Sequence, residues 1–268
     1  MLEVIRNRRS VRTFDGTQLK AEDAQKILEF AEKVENPYDI HITWKILDAE
    51  KYGLTSPVIL GTNTYIAGKM RRVPHAEEAF GYTFEKVVLF AQSIGVGTTW
   101  IAGTMNRPAF EKAMDLSEDE VLPCVSPLGY VAKKMSLREV MMRKGIKADT
   151  RFDFKDLFFK DSFDNPLTEA EAGKLKDVFE AIRLAPSAVN KQPWRIVVCG
   201  NKVHFYEKRS KGYVKEEGWD IQKIDMGIAL CHFEIVAKEC GLDAFFTIED
   251  PSIPMQDEMQ YIATYTIK

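Results

Sequence analysis

Arg8-Arg-Ser-Val-Arg-Thr-Phe14 places three guanidiniums and a hydroxyl within five positions. Forked guanidinium donors match phosphate oxygens bidentately, and a serine hydroxyl can add a short bond. A bare basic run is more often a solvated face, so this segment does not settle its own role. Ala185-Pro-Ser-Ala-Val-Asn-Lys-Gln-Pro-Trp194 is the second stretch of interest. Its two prolines restrict the backbone, while Ser187, Asn190 and Gln192 offer short donors and acceptors suited to a heteroaromatic edge or a hydroxylated chain. The same residues also describe a capped turn with Trp194 as a core anchor.

Other chemistry is scarce. His41, His75, His204 and His232 are isolated, and His232 falls within an amphipathic helical pattern, where a structural role is the ordinary one. Cys124, Cys199, Cys231 and Cys240 are widely spaced with no C-x-x-C pair, which points to small apolar residues rather than ligands or disulfides. No catalytic triad, metal-ligand set or paired-carboxylate site is legible. A net charge of -3 gives no bulk attraction to nucleic acid or to an anionic membrane. The chain reads as cytoplasmic, since no secretory leader and no run of about eighteen apolar residues is present.

The elements that must position these stretches occur twice. Phe84, Val87, Val88, Ala91 and Ile94 recur at helical spacing, with Gly81 before the run and Gly95 closing it. Met226, Ala229, Leu230, Phe233, Val236, Ala237 and Cys240 do the same, with Gly227 near the start of the run and Gly241 closing it. Leu19-Lys-Ala-Glu-Asp-Ala opens a helix as Leu167-Thr-Glu-Ala-Glu-Ala does, and strands follow at Trp44-Lys-Ile-Leu and Trp194-Arg-Ile-Val-Val. The paired features lie 146 to 150 residues apart in the same order, which indicates a domain duplication rather than a short solenoid repeat. The halves are assigned as 1–150 and 151–268, joined through the charged stretch from Lys144 to Asp164. Further β-branched runs at 58–60, 121–131, 203–206 and 261–267 mix with helices without a βαβ rhythm, favouring an α+β fold with mostly antiparallel sheets. Gly95-Val-Gly97 follows a helix and lacks the third glycine of a dinucleotide fingerprint.

Taken together, these stretches resemble signatures of the FMN-dependent nitroreductase family. Arg-Arg-Ser-Val-Arg-x-Phe resembles its N-terminal phosphate motif, and Ala-Pro-Ser-x-x-Asn-x-Gln-Pro-Trp its most specific stretch. Gly95 to Gly103 is similar to the loop that passes the flavin ring, and Pro127-Leu-Gly-Tyr130 to its late strand. The signatures are split between the halves, which resembles the branch in which two subunits are fused in tandem. The resemblance implies a nitroreductase-like fold in which the two halves form an intrachain pseudo-dimer.

It also implies that Arg8, Arg9 and Ser10 hold the FMN phosphate and that Arg12 approaches the pyrimidine edge of the ring, stabilising reduced FMN. Trp100, Ile101, Ala102 and Gly103 would line the ring, and Pro186, Ser187, Asn190 and Gln192 would close the site from the other half. Arg151 resembles a late phosphate-binding arginine, behind an insertion rich in basic residues from Lys133 to Lys147. Some relatives carry an acidic residue where Ala102 stands. The function implied is NAD(P)H-driven reduction of a small-molecule acceptor (a nitroaromatic, a quinone or another flat compound) by a ping-pong mechanism, with no catalytic side chain beyond the flavin. The alternative is a non-enzymatic FMN-binding or redox-sensing module. One FMN per chain is expected, because Glu35 to His41 replaces the Pro-Ser-Asn loop in the first half. In the second half, Ala244 to Asp250 replaces the ring loop with bulk and acid, and its phenyl groups should fill the vacant cleft.

Overall fold

A computed structural model describes residues 1–214 and 219–268. The chain divides into two compact units, Asn7–Lys147 and a second formed by Met1–Arg6 with Ala148–Lys268. Both mix helices with a mostly antiparallel sheet, an α+β fold. No helix among the described residues is long and apolar enough to cross a membrane.

The first unit contains α2 (Ala21–Lys33), β1 (Thr43–Asp48), α3 (Ala49–Tyr52), β2 (Thr64–Arg71), α4 (Ala76–Ser93), α5 (Arg107–Ala113), β3 (Glu120–Val121), β4 (Val125–Leu128) and α6 (Leu137–Gly145). Strand β2 pairs antiparallel with β1, β3 and β4. Helix α4 has 13 buried residues among 18, so it shows little amphipathic contrast and behaves as a core element. It starts at Ala76, five residues before the glycine expected to precede it, and ends where Gly95 adopts φ +82°. Trp44 packs against Phe80 and Phe84 of α4, with ring centroids 5.8 and 5.1 Å apart. Its partner across the ladder is Gly68, where a Cβ would come within 2.5 Å of the indole, so glycine is what admits the ring there.

The second unit opens with α1 (Leu2–Asn7), of which residues up to Arg6 belong to it; Glu239 takes both the α-amino group and, at 3.1 Å, the Leu2 amide. It continues with α7 (Phe154–Leu157), β5 (Phe158–Lys160), α8 (Lys176–Leu184), β6 (Trp194–Cys199), β7 (Lys202–Lys208), α9 (Ile221–Glu239), β8 (Ala244–Thr247) and β9 (Met259–Ile267). The sheet order is β5-β6-β7-β9-β8, antiparallel except for the β5–β6 pair, which is parallel. Helix α9 is buried on most sides like α4, and His232 within it hydrogen-bonds the Ala181 carbonyl of α8 at 2.7 Å. None of the four cysteines, all among the described residues, is in a disulfide.

A helix start in the second unit also differs from the sequence expectation. The helix expected to open at Leu167 begins only at Lys176 after a 3-10 turn, because Thr168 and Glu171 close a local hydrogen-bonded turn and Gly173 then takes φ +54°. The division between the units, after Lys147, falls within the stretch 144–164, and its later residues Phe154, Leu157 and Phe158 belong to the second core. Of the phenyl groups in Ala244 to Asp250, Phe245 is 47% exposed on the edge strand β8, and Phe246 packs against Tyr265.

Candidate functional site

Within the first unit, three of the stretches singled out by sequence converge. Val11 donates its amide to Thr98 O at 2.9 Å, and Phe14 and Arg12 exchange backbone bonds with Leu60 at 2.8 and 3.0 Å. Asp15 donates to Tyr130 O, Ala132 to Thr13 O, and Gly97 to Gly129 O. Residues 8–14 are thereby strapped between the Gly95–Gly103 loop and the end of β4. A Cβ on Gly97 would meet Val131 at 2.9 Å and Val11 at 3.2 Å, which explains glycine at that crossing.

Four guanidiniums gather here. Arg8 is almost wholly buried, with its Nε 3.8 Å from Glu85, a carboxylate with no solvent exposure. Its Nε and Nη1 have no hydrogen-bond partner, nor has Nη1 of Arg12. Arg9 donates to Glu139 Oε1 at 3.0 Å, and Arg143 Nη1 reaches the Ser10 carbonyl at 3.5 Å. Burial lowers the pKa of Arg8, Glu85 opposes the shift, and Arg143 deepens it. Arg12 is lowered by burial, opposed by Glu139 and lowered further by Arg143. Guanidiniums stay protonated in proteins, so these shifts measure the cost of gathering like charges away from water. Arg8 and Arg12 thus carry buried N–H groups that lack acceptors, and the pair on Arg8 is the kind of donor set a phosphate satisfies.

The ring-loop residues are positioned differently from one another. Trp100 donates its indole N–H to Glu85 Oε2 at 3.0 Å and packs edge-on to Phe84, centroids 4.7 Å apart. Ile101 lies in the core and spends its amide and carbonyl on Val125, both at 2.9 Å. Ala102 is half-buried, its carbonyl taken by Arg107 at 3.2 Å, and Gly103 is exposed. Thr98 and Thr99 add buried hydroxyls without partners.

The Pro-Ser-Asn stretch lies in the second unit, and its polar groups are engaged there. Ser187 Oγ accepts from the Gln192 amide at 2.9 Å, and Gln192 Oε1 accepts from the Phe152 amide at 2.9 Å. Asn190 donates to Thr150 O at 3.0 Å and accepts from Arg151 at 3.5 Å. Arg151 also donates to Ala148, Thr150 and Leu184 carbonyls, so it staples the loop. Asp225 receives the Ala188 amide on both oxygens, at 3.0 and 3.1 Å. Pro186 precedes a strained turn: Val189, Asn190 and Gln192 have φ of +51°, +56° and +49°, and a β-branched residue there is a true outlier. Val189 is nonetheless 57% exposed, so no burial of its side chain offsets the strain.

Thr98 and Thr99 fall inside the ring loop without having been assigned a role, and Glu85, Glu139, Arg143 and Asp225 were not singled out by the motif reading. Of these, only Glu139 carried a local signal, a capping box with Ser136, whose Oγ accepts the Glu139 amide at 3.2 Å.

No curated protein matches this chain. Among solved structures, a "putative nitroreductase" from Thermotoga maritima is similar in fold, with a TM-score of 0.61 and 20% identity, covering 99% of this chain and 92% of that chain. An FMN-dependent nitroreductase from Clostridium difficile covers 57% of this chain and 99% of its own at TM-score 0.43 and 15% identity. An oxidized iodotyrosine deiodinase, solved bound to FMN and 3-iodo-L-tyrosine, covers 51% of this chain and 92% of its own at TM-score 0.43 and 15% identity. The family model described as "Putative TM nitroreductase" matches residues 1–237, and the chain belongs to that family.

Proposed function

We propose that this protein is an FMN-dependent oxidoreductase that takes reducing equivalents from NAD(P)H and passes them to a flat small-molecule acceptor such as a nitroaromatic or a quinone. The observation that carries the reading is the buried guanidinium of Arg8, whose Nε and Nη1 present N–H groups without protein acceptors. Those groups fit the phosphate of FMN, with Arg9 and the Ser10 hydroxyl completing the cradle. Bound FMN supplies the two-electron chemistry, which suits a chain with no metal-ligating cluster among its described residues.

The residues of the chain then have separable tasks. Arg8 and Arg9 neutralise the phosphate, with Glu85 and Glu139 fixing their orientation. Trp100 is held by Glu85 and sets the wall of the ring loop. Arg12 places positive charge where reduction leaves negative charge on the pyrimidine edge. Arg12→Ala is therefore expected to lower the FMN potential by roughly 30 to 60 mV, the equivalent of about 1.4 to 2.8 kcal/mol for a two-electron couple, while FMN stays bound. Dye-equilibrated anaerobic titration measures this, and an unchanged potential in the flavin-loaded variant removes the role from Arg12.

The activity itself is tested by mixing the flavin-loaded protein with NADH or NADPH without oxygen. Rapid bleaching of the flavin absorbance is expected with one of them, and bleaching with neither would favour a binding or sensing module. Donor and acceptor using one ring face in turn should give parallel double-reciprocal lines at several acceptor concentrations. Intersecting lines would require a ternary complex and refute the ping-pong order.

A further inference from the structure

Helix α6 is amphipathic in the reverse of the usual sense. A surface helix of a folded domain turns its apolar stripe to the core and its charges to water. In α6 the residue that is buried is an acid, Glu139, whose carboxylate has no solvent exposure and holds Arg9 at 3.0 Å. The N-cap Ser136 is tied to Thr13, which donates Oγ1 to Oγ at 3.0 Å and accepts the Ser136 amide at 3.1 Å. Leu137, Val140 and Met141 are instead 83%, 47% and 73% exposed. Their spacing of three and four places them on one helix face. Polar contacts therefore anchor the helix, and its apolar stripe is turned to solvent.

Basic residues surround that stripe. From Lys133 to Lys147 the sequence has six basic residues and one acid, the buried Glu139. Lys133, Lys134, Arg138, Lys144 and Lys147 are exposed, and no exposed carboxylate of the segment offsets them. The whole chain carries a net charge of -3, which gives no bulk attraction to anions. Screening acts over about 8 Å at physiological salt, however, so a surface that touches α6 meets the local cations rather than the average charge.

The composition of the face selects its partner. Side chains as exposed as Leu137 and Met141 project from a convex surface and do not line a groove that a peptide could fill. Aliphatic and thioether chains ringed by lysine and arginine suit a fluid apolar layer beneath an anionic one. The segment has no aromatic side chain to stack on a nucleic-acid base, and two copies meeting on this face would oppose their own cations.

We propose that α6 and its flanking lysines form a docking surface for an anionic lipid bilayer. The helix lies in the plane of the interface, with Leu137, Val140 and Met141 immersed and the basic side chains on headgroup phosphates. No part of this depends on a bound flavin.

Flotation of the full-length protein with lipid vesicles is the test. Wild type should float with vesicles of phosphatidylcholine and phosphatidylglycerol in equal parts, not with phosphatidylcholine alone, and high salt should release it. Replacing Lys133, Lys134 and Lys144 together by Gln should weaken partitioning by about 100-fold. Leu137→Ser with Met141→Ser should weaken it by about 10- to 100-fold and leave its salt dependence in place. All five positions are exposed, so the melting temperature should match that of wild type. A wild type that ignores the anionic vesicles, or folded variants that float as wild type does, overturns the docking surface. A dimer that dissociates on Leu137→Ser with Met141→Ser also overturns it, by giving the face to a second copy of the chain. Retention on single-stranded DNA in place of the vesicles does the same, by giving the face to nucleic acid.

Discussion

Glu207→Gln is expected to make the protein more stable above pH 8 by about 2 to 4 kcal/mol and to leave it nearly unchanged near pH 5. Glu207 lies on β7 directly across from Trp194, has no solvent exposure, and neither of its carboxylate oxygens has a hydrogen-bond partner. Burial pushes its pKa up to about 8, the neighbouring Asp220 carboxylate pushes the same way, and Arg209 and Lys223 oppose. Asp225 is also raised well above the usual range, first by burial, against the opposing bond from the Ala188 amide. Because the folded-state pKa of Glu207 exceeds that of the unfolded chain, the folded state holds a proton that the unfolded state releases. Its contribution is intact below about pH 4.5 and is lost as pH rises through 8. Glutamine keeps the shape and cannot ionise. Urea unfolding at several pH values should therefore give a wild-type stability that falls toward alkaline pH and a variant that falls less, and parallel profiles would show that Glu207 ionises freely.

That cluster was not legible in the sequence, and the reason is physical. Glu207, Asp220 and Asp225 come from β7, the cap of α9 and its first turn, and their proximity depends on tertiary packing rather than local pattern. The same holds for Glu85 under Arg8 and Trp100, which sits in a helix whose composition reads only as buried. Strand β2 escaped notice although it pairs with β1, β3 and β4, because Gly68 and Lys69 interrupt its apolar run. What was legible followed from chemistry confined to a few adjacent positions. Arg8 to Phe14, Gly95 to Gly103 and Pro127 to Tyr130 each carry a recognisable order, and the first unit brings all three together. Helix α6 lay between these cases: Ser136 and Glu139 have the spacing of a capping box, of which the structure makes only the Ser136 half, and the surrounding lysines and arginines read as a basic insertion.

One FMN per chain, with its phosphate on the first unit, is the outcome we expect from extracted flavin measured against protein. The two units differ in the charged groups that they bring together. The first gathers Arg8, Arg9, Arg12 and Arg143 around two carboxylates, whereas the second buries Glu207, Asp220 and Asp225. A phosphate dianion near the second group would meet like charge, at a cost that grows as water is excluded. In the first unit the stand-in for a Pro-Ser-Asn loop, Glu35 to His41, helps line a cavity of about 500 Å³ whose charged residues include Glu32, Glu35 and Asp39 beside Lys33, again a poor setting for an anion. Arg8 is then the residue whose loss costs most. Arg8→Gln should weaken FMN by at least about 100-fold, but it also leaves Glu85 buried without its cation, which alone destabilises by about 3 to 5 kcal/mol. The double variant Arg8→Gln, Glu85→Gln separates the two effects, since it removes the stranded charge and restores folding without restoring the phosphate donor. A folded double variant that still carries stoichiometric FMN would contradict the phosphate role of Arg8, and a saturated wild-type preparation holding two FMN per chain would falsify the assignment of one site.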